Sequence, residues 1–133
     1  MPRPTNALIV DDEAHVRSFL RLLLRELGIE TVWEAGDGAQ GLAMLGLHQP
    51  QLVLLDVNMP VMSGLEVLEQ LMRTHPVTPV VVITSQSAIQ TVQAAHKLGA
   101  MAYLLKHSPR AEAVEMLRGV LDTLEEDGEK EMA

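Results

Sequence analysis

The sequence has no cysteine, and its 133 residues include only one Trp, one Tyr and one Phe. The lack of cysteine excludes disulfide bonds, thiolate metal ligands and a cysteine nucleophile, and it fits a reducing compartment. With so few aromatic side chains, the core must be aliphatic. The hydrophobic content of 47% predicts one domain over residues 1–133, with its core over about residues 7–121.

Long apolar runs are also missing. The apolar stretches are far shorter than the ~20 residues that cross a bilayer. The short one that precedes Asp11 and Asp12 lacks the long hydrophobic region of a secretory signal. We therefore expect a cytoplasmic protein with no membrane partner.

Positive charge is scarce, because the net charge is −8 and no basic stripe is present. Direct nucleic-acid binding depends on neutralising phosphates, so we do not expect a nucleic-acid partner. The acidic residues from Asp122 onward predict a solvated helix end and tail over residues 122–133. The sequence has no G-x-G-x-x-G motif and no Walker-type loop, which leaves nucleotide binding without support.

Short aliphatic runs alternate with helical patterns along the whole chain. Continuous apolar strands in such an alternation predict a parallel sheet covered by helices on both faces. The predicted fold is therefore an α/β, doubly wound (βα)₅ sheet, with a site outside the carboxyl ends of its strands. Strands are predicted at residues 7–10, 31–33, 52–55, 79–83 and 101–105, and helices at about 16–27, 39–47, 64–75, 89–98 and from Pro109 onward.

Polar side chains stand where four of the predicted strands end. They are Asp11 and Asp12 after the first strand, Asp56 after the third, Thr84 after the fourth and Lys106 after the fifth. Three carboxylates in one cleft repel one another, and oxygen ligands without His or Cys favour Mg²⁺ as the ion that relieves the repulsion. A lysine and a hydroxyl at the same edge suit a phosphoryl group. The set predicts phosphorylation of a carboxylate, with one Asp as the nucleophile.

The stretch DVNMPVMSG at residues 56–64 resembles the phosphorylation loop of response-regulator receivers, D-x-x-M-P-x-M-x-G. Residues 10–13, Thr84 and residues 103–106 resemble the other elements of that family in the same order. The resemblance extends from about Ala7 to Leu121. It implies a receiver domain of two-component signalling, similar to chemotaxis regulators, with a flavodoxin-like strand order 2-1-3-4-5.

The resemblance also implies a role for each side chain at the strand ends. Asp56 is the implied phosphoacceptor, which takes its phosphoryl group from a sensor histidine kinase, a phosphotransfer protein or a small acyl phosphate. Mg²⁺ is the implied cofactor, bound by Asp12, Asp56 and the backbone carbonyl of Asn58, while Asp11 acts mainly through a bound water. Lys106 is implied to pair with Asp56 and then with the phosphoryl oxygens.

Thr84 and Tyr103 are the implied switch residues. Thr84 donates its hydroxyl to the phosphoryl group and moves toward it, and Tyr103 rotates inward as Thr84 vacates space. The face built from the fourth helix, the fifth strand and the fifth helix then reports the change to an output partner, and a homodimer through this face stays open. The chain would be no enzyme beyond catalysing its own phosphorylation and dephosphorylation.

The sequence departs from the family pattern after Lys106. Residues 107–108 separate this lysine from Pro109, whereas many receivers place a cis-bonded proline directly after it, so we predict no cis peptide here. Asn58 and Gln86 stand two residues beyond the phosphoacceptor and the switch threonine. They are expected to flank the path of the water that attacks the phosphoryl group.

Each of these side chains also has an interpretation without phosphorylation. Asp11 or Asp12 would cap the first helix, since Asp is a favoured N-cap. Asp56 would be a turn carboxylate, Thr84 a strand-end residue and Lys106 a solvated surface lysine. Their joint placement favours the phosphorylation site, because independent caps have no reason to share one edge with the loop motif.

Two other functions stay open as alternatives. An aspartyl-nucleophile phosphatase or phosphotransferase uses D-x-D-x-T/V after its first strand, whereas here that strand is followed by residues 11–13, DDE, and the nucleophile candidate follows the third strand. A receiver-like scaffold that is never phosphorylated usually lacks an acidic, hydroxyl or lysine member of the set, and this sequence has them all. The sequence does not distinguish a stand-alone receiver from a piece of a longer regulator.

Overall fold

The predicted alternation of strands and helices is present throughout the described chain. The structure is a computed structural model that describes residues 2–85 and 89–132, and within these ranges the side chains as far as residue 126. The elements are β1 Asn6–Val10, α1 Ala14–Glu26, β2 Thr31–Ala35, α2 Gly38–His48, β3 Val53–Asp56, α3 Gly64–Thr74, β4 Val80–Thr84, α4 Ile89–Lys97, β5 Ala102–Leu105 and α5 Arg110–Met132.

The strands form one parallel sheet in the order β2-β1-β3-β4-β5, which confirms the predicted topology. β1 lies between β2 and β3, and Leu8 is level with both Trp33 and Val53. The strand order therefore reverses between β1 and β3. Ligands of such sheets bind outside the carboxyl ends of the strands at this reversal. We call this side of the sheet the carboxyl edge and the opposite side the amino edge.

The core consists of two aliphatic layers, one on each face of the sheet. Along β1, Ala7 and Ile9 belong to the layer under α1 and α5, while Leu8 and Val10 belong to the layer under α2, α3 and α4. This alternation follows the two-residue period of a strand. Among the described residues, the buried hydrophobic side chains are all aliphatic or Met, as the scarcity of aromatics predicts.

Trp33 lies on β2 and packs against α2. Its ring stacks on that of His48, with 4.4 Å between the ring centroids and 10° between the planes. The stack gives Trp33 a packing role at the second strand.

Most element boundaries differ from their predictions by one or two residues, and two of these differences have a clear structural basis. β2 continues to Ala35, beyond the predicted residues 31–33, because Glu34 and Ala35 pair with the last two residues of β1. α5 begins at Arg110, one residue after the predicted Pro109. The carbonyl of Pro109 accepts the first helical hydrogen bond, from the Ala113 N–H at 3.1 Å, so this proline precedes the first turn.

No helix within the described residues combines the length and the apolar character that crossing a bilayer requires.

Candidate functional site

The buried polar side chains of the described residues all lie at the carboxyl edge. Asp56 and Thr84 are the last residues of β3 and β4, while Asp11 and Lys106 directly follow β1 and β5. Asp12 stands beside them and is exposed. The structure thus brings together the side chains that the strand ends predicted.

The three aspartates form a cluster that fits a divalent cation. Asp11, Asp12 and Asp56 each offer one carboxylate oxygen, and these oxygens all lie within 4.8 Å of one another. Oδ2 of Asp11 is buried and has no hydrogen-bond partner among the described residues, although Nζ of Lys106 lies 3.2 Å away. A buried oxygen without a hydrogen bond is costly unless another ligand satisfies it. An all-oxygen set suits Mg²⁺.

Lys106 is the cation at the centre of this cluster. Its side chain is almost wholly buried, and its Nζ lies 2.9 Å from Oδ2 of Asp56. Nζ also lies 2.7 Å from Oε1 of Glu13, a contact that the sequence did not predict. The surface-lysine interpretation of Lys106 is therefore wrong.

The backbone after β1 and β3 turns in the same way. Oδ1 of Asp11 accepts the Glu13 N–H, and Oδ1 of Asp56 accepts the Asn58 N–H, both at 2.8 Å. Asp56 is therefore a turn carboxylate, as one interpretation of the sequence predicted, and it is also a member of the aspartate cluster. The N-cap of α1 is Glu13, so the interpretation of Asp11 or Asp12 as its cap is wrong.

Gly64 lets α3 begin directly against the end of β3. A Cβ at this position would lie 2.1 Å from the carbonyl oxygen of Asp56 and 2.5 Å from Cα of Val57. The preceding Ser63 caps α3, because its hydroxyl oxygen accepts the Glu66 N–H at 3.3 Å. The loop motif therefore ends in a glycine because the two backbones meet there.

Thr84 and Asn58 link the loop after β3 to the end of β4. The Thr84 hydroxyl donates to Oδ1 of Asn58 at 3.1 Å, and the Ser85 N–H approaches the same oxygen at 3.4 Å. Asn58 thus holds the predicted switch hydroxyl at the mouth of the site. Gln86, which the sequence placed near the same water path, lies outside the described residues.

Tyr103 points away from the core. It is 46% exposed, and it lines a cavity of about 340 Å³ with Val82, Val92 and Ala95 among the other lining residues. The inward rotation expected on phosphorylation stays a prediction, and the cavity beside the exposed ring offers space for it. The Lys106–His107 bond is trans, since the described ranges contain no cis peptide.

Burial and charge perturb the ionisable groups of the cluster. Burial, together with the charge of Asp11, raises the pKa of Asp56 to about 6, against the opposing effect of the Asn58 N–H and Lys106. Burial also raises the pKa of Asp11. Burial alone would lower the pKa of Lys106, but its hydrogen bonds to Glu13 and Asp56 raise it above the ordinary value. The site therefore holds a firmly protonated lysine beside carboxylates that resist ionisation.

Two contributors to the site were missed from the sequence. Glu13 contacts Lys106, as described above. Arg17 donates from Nη1 to the backbone carbonyl of Asp11 at 2.6 Å and from Nε to Glu34 at 3.1 Å, which ties the loop after β1 to β2. Arg17 could have been found from its position four residues after Glu13, because residues spaced in this way share a helix face.

The fold and the side chains at this carboxyl edge point to one protein family. The chain belongs to the family of response regulator receiver domains, whose model matches residues 7–118. It is a receiver domain of two-component signalling. Such domains bind Mg²⁺ at an acidic cluster like that of Asp11, Asp12 and Asp56, and they interact with histidine kinases or phosphotransfer proteins.

Curated relatives are longer than this chain. The transcriptional regulatory protein PdtaR of Mycobacterium tuberculosis is 42% identical over 103 residues, which make up 77% of this chain and 50% of that protein. A protein-glutamate methylesterase/protein-glutamine glutaminase of Myxococcus xanthus is 41% identical over 115 residues, 85% of this chain and 33% of that protein. The chain thus spans half or less of the length of these relatives.

Solved structures share the fold closely. Chemotaxis protein CheY4 of Vibrio cholerae superposes with a TM-score of 0.80 at 28% identity, over 88% of this chain and 98% of that chain. NtrX of Brucella abortus gives a TM-score of 0.85 at 29% identity, over 95% of this chain and 28% of that chain.

Proposed function

We propose that this receiver domain is switched by phosphorylation of Asp56. The observation that carries the proposal is the position of the Asp56 carboxylate. It is buried at the carboxyl edge, 2.9 Å from the Lys106 ammonium and within 4.8 Å of oxygens from Asp11 and Asp12. A carboxylate between a cation and a candidate metal cluster is suited to act as a nucleophile toward phosphorus.

Phosphoryl transfer forms a bond between a carboxylate oxygen of Asp56 and phosphorus. The P–N bond of a phosphohistidine breaks at the same time, or the P–O bond of a small acyl phosphate, and the leaving group keeps the electron pair. The donor is a sensor histidine kinase, a phosphotransfer protein or the acyl phosphate itself. Lys106 stabilises the charge on the phosphoryl oxygens. The chain catalyses only its own phosphorylation and dephosphorylation.

The carboxylates of Asp11, Asp12 and Asp56, with the backbone carbonyl of Asn58, would hold the Mg²⁺. When bound, the ion offsets the negative charge of these carboxylates and of the phosphoryl oxygens. The unsatisfied Oδ2 of Asp11 supports this assignment, because it leaves one buried oxygen for a further ligand or its water.

The switch starts from the hydrogen bond between Thr84 and Asn58. On phosphorylation the Thr84 hydroxyl turns to a phosphoryl oxygen, and the exposed Tyr103 moves into the adjacent cavity. The face of α4, β5 and α5 changes as a result, and an output partner or a second copy of the chain binds it. We assign this behaviour to one cytoplasmic domain over residues 1–133, with its core over about residues 7–121.

The test is the intact mass of the protein after incubation with Mg²⁺ and acetyl phosphate. We expect wild type to gain ~80 Da, the mass of one phosphoryl group, in a form that is labile to hydroxylamine. Asp56→Asn should gain nothing, and neither should wild type in EDTA. Asp122→Asn is the matched control, because it makes the same change on the exposed surface of α5, and it should behave like wild type.

Labelling of Asp56→Asn would contradict the site. If wild type is not labelled, beryllofluoride mimics the acyl phosphate without a donor. Binding of beryllofluoride in Mg²⁺ would then point to a kinase-restricted donor, and its absence would favour the unphosphorylated scaffold.

A further inference from the structure

Glu13 makes the shortest of the contacts that the Lys106 ammonium forms with described carboxylates. Nζ lies 2.7 Å from Oε1 of Glu13, 2.9 Å from Oδ2 of Asp56 and 3.2 Å from Oδ2 of Asp11. Glu13 is the N-cap of α1, and its side chain makes no capping hydrogen bond within the described residues. Its carboxylate therefore does not cap its own helix. Oε1 contacts Lys106, and Oε2 lies 3.4 Å from Nε2 of His15.

The three carboxylates differ in their access to water. The side chains of Asp11 and Asp56 are wholly buried, whereas that of Glu13 is 38% exposed. A carboxylate that loses its cation inside the protein stays desolvated, which is costly, but one at the surface is rehydrated. Of the three contacts, the one to Glu13 is the easiest to break.

Phosphorylation brings three new acceptor oxygens to this place. A lysine ammonium has three N–H donors, and in this structure carboxylates surround them. Its contact with Asp56 passes to the phosphoryl group, because Asp56 itself becomes the acyl phosphate. To reach a second phosphoryl oxygen, Lys106 must give up another carboxylate. Glu13 is the partner that it can leave at the lowest cost, because its carboxylate is the one that water can rehydrate.

We propose that Glu13 is a positioning residue that restrains Lys106 in the unphosphorylated protein and releases it when a phosphoryl group arrives. The restraint lowers the affinity of the site for the phosphoryl group. Glu13 takes no part in the transfer itself, in which Asp56 is the nucleophile. This inference rests on the proposed function, because it assumes that Lys106 contacts phosphoryl oxygens.

The test compares wild type with Glu13→Gln in two binding measurements, Mg²⁺ alone and beryllofluoride at saturating Mg²⁺, each by calorimetry. Beryllofluoride should bind the variant about three- to fivefold more tightly, the size expected for one partly exposed ion pair. Mg²⁺ alone should bind the variant no more tightly than wild type, because a negative charge near the cation has been removed. A merely structural role for Glu13 would instead weaken both.

Two controls separate the restraint from other effects. Glu30→Gln makes the same change directly before β2, on the amino edge, and should leave both affinities at the wild-type values. In the Lys106→Met background, the Glu13→Gln effect on beryllofluoride should disappear, since the restraint acts through Lys106.

The inference fails if beryllofluoride affinity is unchanged or weakened by Glu13→Gln in folded protein, with folding checked by thermal unfolding. It also fails if the same gain persists without Lys106, because simple charge repulsion would then explain the result. A wild type that does not bind beryllofluoride at all would instead reject the proposed function, so the two failures are distinguishable.

Discussion

The two edges of the sheet treat polar groups in opposite ways. At the amino edge, Arg3 pairs with Asp122 at 2.6 Å where both side chains remain partly exposed. At the carboxyl edge, Asp11, Asp56 and Lys106 are held together out of water. An exposed pair adds little to the free energy of folding, whereas buried like charges lower it unless a cation compensates them. The buried charges at the carboxyl edge therefore make the fold less stable, but they form a site that is ready to bind ligands.

Removing the compensating cation should give the largest difference in stability between substitutions at the two edges. Lys106→Met leaves the buried Asp11 and Asp56 without their ammonium, and we expect it to lower the free energy of unfolding by about 3 kcal/mol at pH 7. Arg3→Met, the same change at the amino edge, should cost less than about 1 kcal/mol. Urea unfolding at low ionic strength measures both, and equal losses would contradict the comparison.

Glycine-to-alanine substitutions should also have opposite effects at the two edges. Gly64→Ala places a Cβ against the backbone of Asp56, and we expect a loss of about 2–3 kcal/mol from overpacking. At Gly46, near the end of α2 that leads to the amino edge, a Cβ would meet no described atom within 4 Å. Gly46→Ala should therefore gain about 0.5–1 kcal/mol from helix propensity. Thermal unfolding of the two variants provides the measurement, and a loss in both would contradict the account.

The ionisation of Asp56 should make the stability of the metal-free protein depend on pH. The pKa of Asp56 is raised to about 6, above the ~3.9 of an aspartate in an unfolded chain. Between these values the folded state binds a proton that the unfolded state releases. The contribution of Asp56 to stability is therefore greatest below about pH 4 and is lost as the pH rises through about 6.

Asp56→Asn removes this dependence. In EDTA, the variant should exceed wild type in free energy of unfolding by roughly 2 kcal/mol at pH 7, and the difference should vanish near pH 4. Unfolding curves across this range measure the difference. A variant that is less stable than wild type at pH 7 would show that the ionised Asp56 stabilises the metal-free fold.

Mg²⁺ should give a smaller effect than the substitutions at the carboxyl edge. At ten times its dissociation constant, a ligand that binds only the folded state adds about 1.4 kcal/mol by mass action. We expect this gain in wild type and in Arg3→Met, and a reduced gain in Asp56→Asn, which lacks one of the three clustered carboxylates. The same gain in all three proteins would place the ion elsewhere.

The order of the elements and the members of the site could be predicted because both follow from strand ends. A polar residue that stops an apolar strand must emerge at the carboxyl edge, which is how Asp56, Thr84 and Lys106 were found. Their roles in phosphorylation stay predictions that the experiments above test.

What the sequence did not predict depends on how far side chains reach. Glu13 follows the acidic pair, but only the geometry at the start of α1 brings its carboxylate to Lys106. The extension of β2 through Glu34 was missed because a charged residue ends the apolar pattern, and ion pairs with Arg17 and Arg21 hold that residue at the sheet surface.

The stack of Trp33 on His48 has a consequence for spectroscopy. Trp33 is the only tryptophan in the sequence, and it lies on β2, which β1 separates from the phosphoacceptor strand β3. Its fluorescence should therefore report the docking of α2 on the sheet and remain insensitive to ligands at the carboxyl edge. The protein therefore carries an optical probe of folding that is independent of its switch.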